Sequence, residues 1–281
     1  MKTIRKGLSH SSLMIAAIVI IFASVFVSCS KDDEVNTPGP EKKTYVLVHG
    51  AFQAAYTWND VKAALEQEGN KVIIVELPGH GEDTTDPAKI TMDSYRDKVL
   101  SSIKDVTGKV ILVGHSMGGM VISTVAEAVP EKIERLIYLG AFVPQNGQSL
   151  LELASLDTEG QLAPLLVPSA DHLTLEISDV SKIPSVFCED GTAETKKQLI
   201  DKYRADPAIP FNNTVVLSDA KFGSVVKSYI HTANDKALGL SLQNKMVETG
   251  NIKDVYSIQS SHSPHLSKPE ELTKLLISIV K

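Results

Sequence analysis

From residue 44 onward, short apolar runs alternate with longer stretches in which apolar positions recur every three or four residues. Tyr45–Val48, Val72–Leu77, Val110–Val113, Ile133–Leu139, Ser224–His231 and Val255–Ile258 read as strands. Four of these runs are nearly continuous in apolar residues, the pattern of strands buried on both faces of a parallel sheet. Amphipathic segments near 56–68, 91–106, 117–129, 236–249 and 268–280 read as the intervening helices, and Pro130 ends the third. The alternation predicts an α/β fold, a mostly parallel central sheet flanked by helices on right-handed crossovers. Reacting groups in such sheets gather beyond the carboxyl ends of the strands. The rhythm breaks over residues 145–222, which are proline-rich and carry helical signal only near 148–155 and 192–205. An insertion of that length predicts a helical lid.

The N-terminus is patterned differently. Lys2, Arg5 and Lys6 precede an apolar run from Leu13 to Val27, broken only by Ser24 and ending in Val27-Ser28-Cys29. A basic head, about 15 apolar residues and a small residue before the cut read as a secretory signal, the run being shorter than the ~20 residues of a spanning helix; an uncleaved N-terminal anchor is the alternative. The segment resembles bacterial lipoprotein signals, which implies removal of residues 1–28 and lipidation of Cys29. Ser30-Lys31-Asp32-Asp33-Glu34 resembles a surface-export signal and reads equally well as a solvated acidic linker. Residues 29–43, with Pro38-Gly39-Pro40, read as a tether and 44–281 as the folded domain. The implied address is the cell envelope, with the chain held to the outer membrane by lipid and open to surface exposure.

Charge narrows the partners. The chain has 28 basic and 34 acidic side chains among 281 residues; without the three basic residues of the head, 25 face 34, a net −9. Such a surface excludes nucleic acid and anionic lipid headgroups as electrostatic partners, so membrane attachment falls to the lipid anchor. With Cys29 acylated, Cys188 has no partner for a disulfide. Cys and His fall at no zinc-type spacing, so no metal or other cofactor is expected.

The strongest chemical signal is Gly114-His115-Ser116-Met117-Gly118, with Gly119 behind it, between the strand Val110–Val113 and the helix at 117–129. A serine at a strand-to-helix elbow is pressed toward a strained backbone conformation, and the flanking glycines let the turn close. Its hydroxyl then stands above the sheet, backed by a helix N-terminus. The pentapeptide alone is a weak signal; its strand–turn–helix setting marks Ser116 as a nucleophile. A serine hydroxyl needs a base, and the chain order of this elbow (Ser, then Asp, then His) puts it after the last strand. His262 and His265 both qualify, and His262 lies nearer the strand end. The orienting carboxylate belongs in the loop after Ser224–His231, where Asp235 stands; capping the next helix is its alternative use. Backbone donors to an oxyanion fall to the amides of Met117 and of Ala51, in the loop His49-Gly50-Ala51-Phe52. His49 reads as a structural residue of that loop. Phe52 and Phe142 are candidate pocket walls.

Val48-His49-Gly50-Ala51-Phe52, Leu77-Pro78-Gly79-His80-Gly81, the Gly114–Gly119 elbow, Phe222-Gly223-Ser224, Asn234-Asp235-Lys236 and Ser261-His262-Ser263-Pro264 resemble the α/β-hydrolase superfamily across 44–281. Within it they are most similar to the bacterial esterase and plant methylesterase/hydroxynitrile-lyase branch. The resemblance implies an α/β-hydrolase fold, with nucleophile, acid and base at Ser116, Asp235 and His262 and oxyanion amides at Ala51 and Met117. It implies a serine esterase that cleaves a small to medium carboxylic ester through an acyl-enzyme. Cyanohydrin-cleaving members of the branch carry threonine and lysine where this chain has Gly50 and Ser263, which favours hydrolysis over carbon–carbon lysis. A ligand-binding module without turnover is the other alternative; it predicts degenerate triad positions, and these are intact. Acyl and alcohol preference and oligomeric state leave no signature in the sequence.

Overall fold

The computed structural model describes residues 42–281; the signal segment, Cys29 and most of the tether lie outside the described residues. The strands, in chain order, are β1 (Thr44–Val48), β2 (Lys71–Val75), β3 (Val110–His115), β4 (Ile133–Leu139), β5 (Leu166–Pro168), β6 (Thr174–Ile177), β7 (Asp206–Pro207), β8 (Lys227–Thr232) and β9 (Asp254–Ile258). The helices are α1 (Asn59–Gln67), α2 (Met92–Ile103), α3 (Gly118–Ala128), α4 (Leu150–Ala154), α5 (Ile183–Phe187), α6 (Ala193–Asp201), α7 (Ile209–Asn212), α8 (Leu240–Thr249), α9 (Pro264–Ser267) and α10 (Pro269–Ile279). Six strands form the central sheet in the order β2-β1-β3-β4-β8-β9, every neighbouring pair parallel. Chain order reverses across β1, which opens a crevice between its carboxyl end and that of β3.

The strand periodicity places a core on each face. Tyr45, Leu47, Ile111, Val113, Ile137 and Leu139 pack on Trp58 and on Val61, Leu65, Leu272 and Leu276 of α1 and α10. The alternate residues Val46, Val48, Leu112, Leu136 and Tyr138 face Tyr95, Val99, Val121, Val125, Leu242 and Met246 of α2, α3 and α8. Helices on both faces leave no solvated side, which is why these strands read as unbroken apolar runs. Helix α3 is buried from Gly118 to Ala126, so its N-terminus comes to the site already seated in the core.

Three expectations need correction. Phe222–Ser224 closes a 3₁₀ turn, so β8 starts at Lys227 rather than at Ser224. The helix expected from 236 starts at Leu240, because the amides of Ala237 and Leu238 turn back onto the Asp235 carboxylate. The insertion is not a purely helical lid. Between its short helices α4 to α7, strands β5, β6 and β7 pair antiparallel in a sheet of their own. Pro184 and Pro210 sit in the first turns of α5 and α7, where the missing N–H costs nothing, while Pro168 and Pro207 fall in the small sheet. Strands of two to four residues are too short to establish a two-residue period in the sequence.

Candidate active site

Ser116 joins β3 to α3 with φ 54°, in the left-handed region. For a residue with a side chain this costs on the order of 1–3 kcal/mol and persists only under external restraint. The restraint is backbone: the Ser116 amide donates to the Leu139 carbonyl at 3.3 Å, and its own carbonyl accepts from Gly119 at 3.0 Å and Phe142 at 3.1 Å. A Cβ on Gly114 would lie 2.6 Å from the Gly118 carbonyl oxygen, and one on Gly119 would run into the carbonyl of Phe142. The glycines of the motif are thus where β3, α3 and the end of β4 touch.

Asp235 and His262, 27 residues apart, meet with both side chains fully buried; His262 Nδ1–H donates to Asp235 Oδ2 at 2.7 Å. The same oxygen accepts from Thr232 Oγ1 at 2.6 Å and Gln243 Nε2 at 3.3 Å, and Oδ1 accepts the amides of Ala237 and Leu238, each at 2.8 Å. Asp235 therefore grips an imidazole and closes the turn at Ala237 and Leu238, but it does not cap the next helix, whose N-cap is Gly239. The carboxylate fixes the tautomer of His262 and leaves its Nε2 buried without a hydrogen-bond partner.

His115 and His265 stand behind this pair. His115 Nε2–H donates to the His262 carbonyl at 2.9 Å, and its ring centroid is 4.5 Å from that of His262 and 4.4 Å from that of His265. His265 stacks on Trp58 and donates to Gln53 Oε1 at 3.2 Å, while Gln53 Nε2 donates to Ser263 Oγ at 2.9 Å. Burial, reinforced by the neighbouring imidazoles, holds the pKa of both His115 and His265 well below the ordinary value. His265 is thus a neutral strut of the loop, and His262 alone of the two reaches a carboxylate.

The loop after β1 lies against Ser116: a Cβ on Gly50 would come within 2.7 Å of the serine Cβ. His49 is neutral, its pKa lowered chiefly by burial; Nδ1–H donates to the Gly50 carbonyl at 2.9 Å and Nε2 accepts the Leu77 amide at 3.2 Å. That is the loop-bracing role expected of it. The amides of Ala51 and Met117 make no hydrogen bond within the described residues. Both residues, with Phe52, Ser116 and Phe142, line one cavity of about 360 Å³. Its remaining walls come mainly from the insertion 145–222, a cap over the site, and are mostly apolar, including Leu150, Leu151, Leu162, Leu175 and Phe211, with Leu238 from beyond it. Asp157 is the one carboxylate on the lining, and the amides of Gly160 and Gly239 occupy its oxygens at 2.9 and 2.8 Å. No Lys, Arg or His lines the cavity. Among the described residues, no cluster of His, Cys, Asp and Glu is disposed to hold a metal ion. A larger cavity of about 530 Å³ between α2, α3 and residues 213–221 contains none of the candidate groups.

Sequence reasoning passed over Thr232, Gln243, Gln53 and His115. Only Gln243 leaves a trace, as a polar residue between Leu242 and Met246 on the inward face of α8. The others hold the site through contacts that no spacing announces.

The sequence model of the alpha/beta hydrolase family matches residues 45–275. The Arabidopsis thaliana protein "Putative methylesterase 11, chloroplastic" is 32% identical over 252 residues, covering 86% of this chain and 65% of that protein. Methylesterase 7 of the same plant is 30% identical over 262 residues, covering 85% of this chain and 96% of the relative. Among solved structures, polyneuridine aldehyde esterase superposes with a TM-score of 0.77 at 24% identity, over 86% of this chain and 100% of that one. The match thus spans less than two thirds of the first relative and nearly all of the others. With its parallel sheet, its elbow after β3 and a family match running from β1 into α10, the chain belongs to the alpha/beta hydrolase family.

Proposed function

We propose that the protein is a serine hydrolase that cleaves carboxylic esters. The observation that carries this reading is the buried Asp235–His262 pair, whose imidazole packs on His115, the neighbour of Ser116 in the strained elbow, and whose Nε2 makes no hydrogen bond to another side chain and is free to serve as base. Ser116 Oγ attacks the ester carbonyl carbon while its proton passes to His262 Nε2. Negative charge gathers on the carbonyl oxygen, where the amides of Ala51 and Met117 donate. Collapse of the adduct expels the alcohol, which takes the proton from His262 and leaves an acyl-Ser116. Water, deprotonated by His262, then releases the acid. General-base assistance contributes about 10²–10⁴ in rate, and each oxyanion donor about 3–4 kcal/mol of the barrier.

The cavity supports a neutral substrate of small to medium size. Phe52, Phe142 and the leucines offer burial to an apolar acyl or alcohol part, and no cation lines the wall to pair a charged one. Similarity to proteins named methylesterase and esterase points the same way. Fluorophosphonate labelling tests the reading: wild type takes up the probe and Ser116→Ala does not. An unlabelled wild type overturns it. Nitrophenyl esters of increasing acyl length then locate the preferred substrate by the peak of kcat/KM.

The N-terminal pattern supports a further part of the proposal, that Cys29 is lipidated and tethers the domain to the outer membrane. No helix among the described residues is long and apolar enough to cross a membrane. Metabolic labelling with an alkynyl fatty acid should mark the wild type and miss Cys29→Ala; equal labelling of both would refute the anchor.

A further inference from the structure

We propose that Asp206, on β7 of the cap, is a positioning residue for the oxyanion loop: it pins the Ala51–Phe52 peptide so that the Ala51 amide stays turned to the cavity. The oxyanion role of that amide rests on the hydrolase reading above; the restraint itself does not.

Asp206 is fully buried, and its Oδ2 accepts the Phe52 amide at 2.6 Å across 154 residues of sequence. Phe52 has φ 58°, a second left-handed residue with a side chain on the rim of the cavity. Unlike Ser116, whose turn is tied by three backbone bonds, Phe52 has its amide held by a side chain of the cap. Its ring is gripped by the cap as well, with the centroids of Phe187, Tyr203 and Phe211 at 6.3 to 6.4 Å. Fixing the Ala51–Phe52 peptide plane limits Ala51 ψ, and with it the orientation of the residue that donates to the cavity.

A buried carboxylate with one amide for company would be poorly compensated. His80, in the loop after β2, supplies the rest: its Nε2 forms an ion pair with Asp206 Oδ1, and its Nδ1–H donates to the Pro78 carbonyl at 3.0 Å. Burial opposes charge on this imidazole, yet the Asp206 carboxylate and the Pro78 carbonyl outweigh it and hold its pKa above the ordinary value. Cap, β2 loop and oxyanion loop thus meet at one carboxylate.

Two substitutions separate this role from general packing. Asp206→Asn keeps an oxygen for the Phe52 amide and an NH₂ that neutral His80 can accept; Asp206→Leu fills similar volume and offers no acceptor. In Asp206→Leu, kcat for a nitrophenyl ester should fall about tenfold or more, the scale of a lost charge-assisted hydrogen bond, with KM within about twofold. Affinity for a trifluoromethyl ketone, which forms an oxyanion on the enzyme, should fall in parallel, while Asp206→Asn stays within about threefold of wild type on every measure. Hydrogen exchange of a peptide spanning 49–53 should quicken by about tenfold in Asp206→Leu and not in Asp206→Asn. That measurement needs no turnover, so a wild type inert toward esters would refute the hydrolase reading and leave the restraint to be judged by exchange. Unchanged exchange in Asp206→Leu, or equal losses in the two variants, overturns the proposal.

Discussion

Two parts of the cavity wall hold a residue in a left-handed conformation, and they do it by different means. At Ser116, backbone groups from Leu139, Gly119 and Phe142 close the turn, and glycines 114 and 119 make room for them. At Phe52, a carboxylate and three aromatic rings come from the cap, far along the chain. The first arrangement depends on steric limits that only glycine satisfies, so it tolerates little change and is written as a compact motif. The second depends on side-chain packing and one acceptor, which other residues could supply from other positions. In the proposed reaction the sheet edge therefore supplies the chemistry, while the cap supplies much of the cavity wall and holds one side of the site.

The sheet edge should be the more sensitive to substitution. Ser116→Ala should lower ester turnover by roughly 10⁴–10⁶ with the thermal midpoint near that of wild type, measured by kcat/KM and circular dichroism. Asp235→Asn should lower kcat by about 10³–10⁴ with little change in KM, because the imidazole loses the carboxylate that fixes its tautomer. Gly119→Ala should destabilise by about 3 kcal/mol in urea unfolding, since the new methyl meets the Phe142 backbone and not a yielding side chain. In the cap, Phe211→Leu should leave stability nearly intact and shift kcat/KM toward longer acyl chains by about tenfold or less. If the cap variant proved as damaging as Gly119→Ala, the division between the two regions would fail.

The smallest expected effect is a pH dependence of the cap's attachment. Hydrogen bonds outweigh burial at Glu76 and lower its pKa, burial lowers that of His49, and burial raises those of Tyr95 and Tyr203. Of these neighbours none changes charge between pH 6.5 and 9. His80 does, because its pKa is raised in the fold. Its ion pair with Asp206 is fully in place below the ordinary histidine value of about 6.5 and is lost as pH rises through the raised one. The melting-temperature gap between wild type and Asp206→Asn should therefore be widest near pH 6, at about 2–4 °C, and narrow toward pH 9. A gap that is flat or grows with pH would remove the charged pair from the cap's anchorage.

Legibility followed the range of the forces involved. The six long strands were readable because burial on both faces makes each one an apolar run, and Ser116 because its turn demands glycine at fixed spacing. Nearness to a strand end separates His262 from His265 in the sequence, and in the fold it is His262 that contacts the Asp235 carboxylate. The small sheet of the cap stayed hidden: Thr174–Ile177 is four residues long and Asp206–Pro207 two, below the length at which alternation can be recognised. Gln53, His115 and Asp206 stayed hidden as well, each acting on a partner at least 147 residues away.

From the order of its residues alone, then, the chain settles its layered architecture and its elbow, since apolar periodicity and backbone sterics act over a few neighbours; Ser116, Asp235 and His262 it nominates through their order along the chain. Only folding in three dimensions decides that Asp235 both closes a turn and holds an imidazole, that His265 is a neutral strut, and that a cap carboxylate grips the loop bearing Ala51. Those outcomes turn on which buried polar groups find partners, and a partner more than a hundred residues away is chosen by packing rather than by spacing.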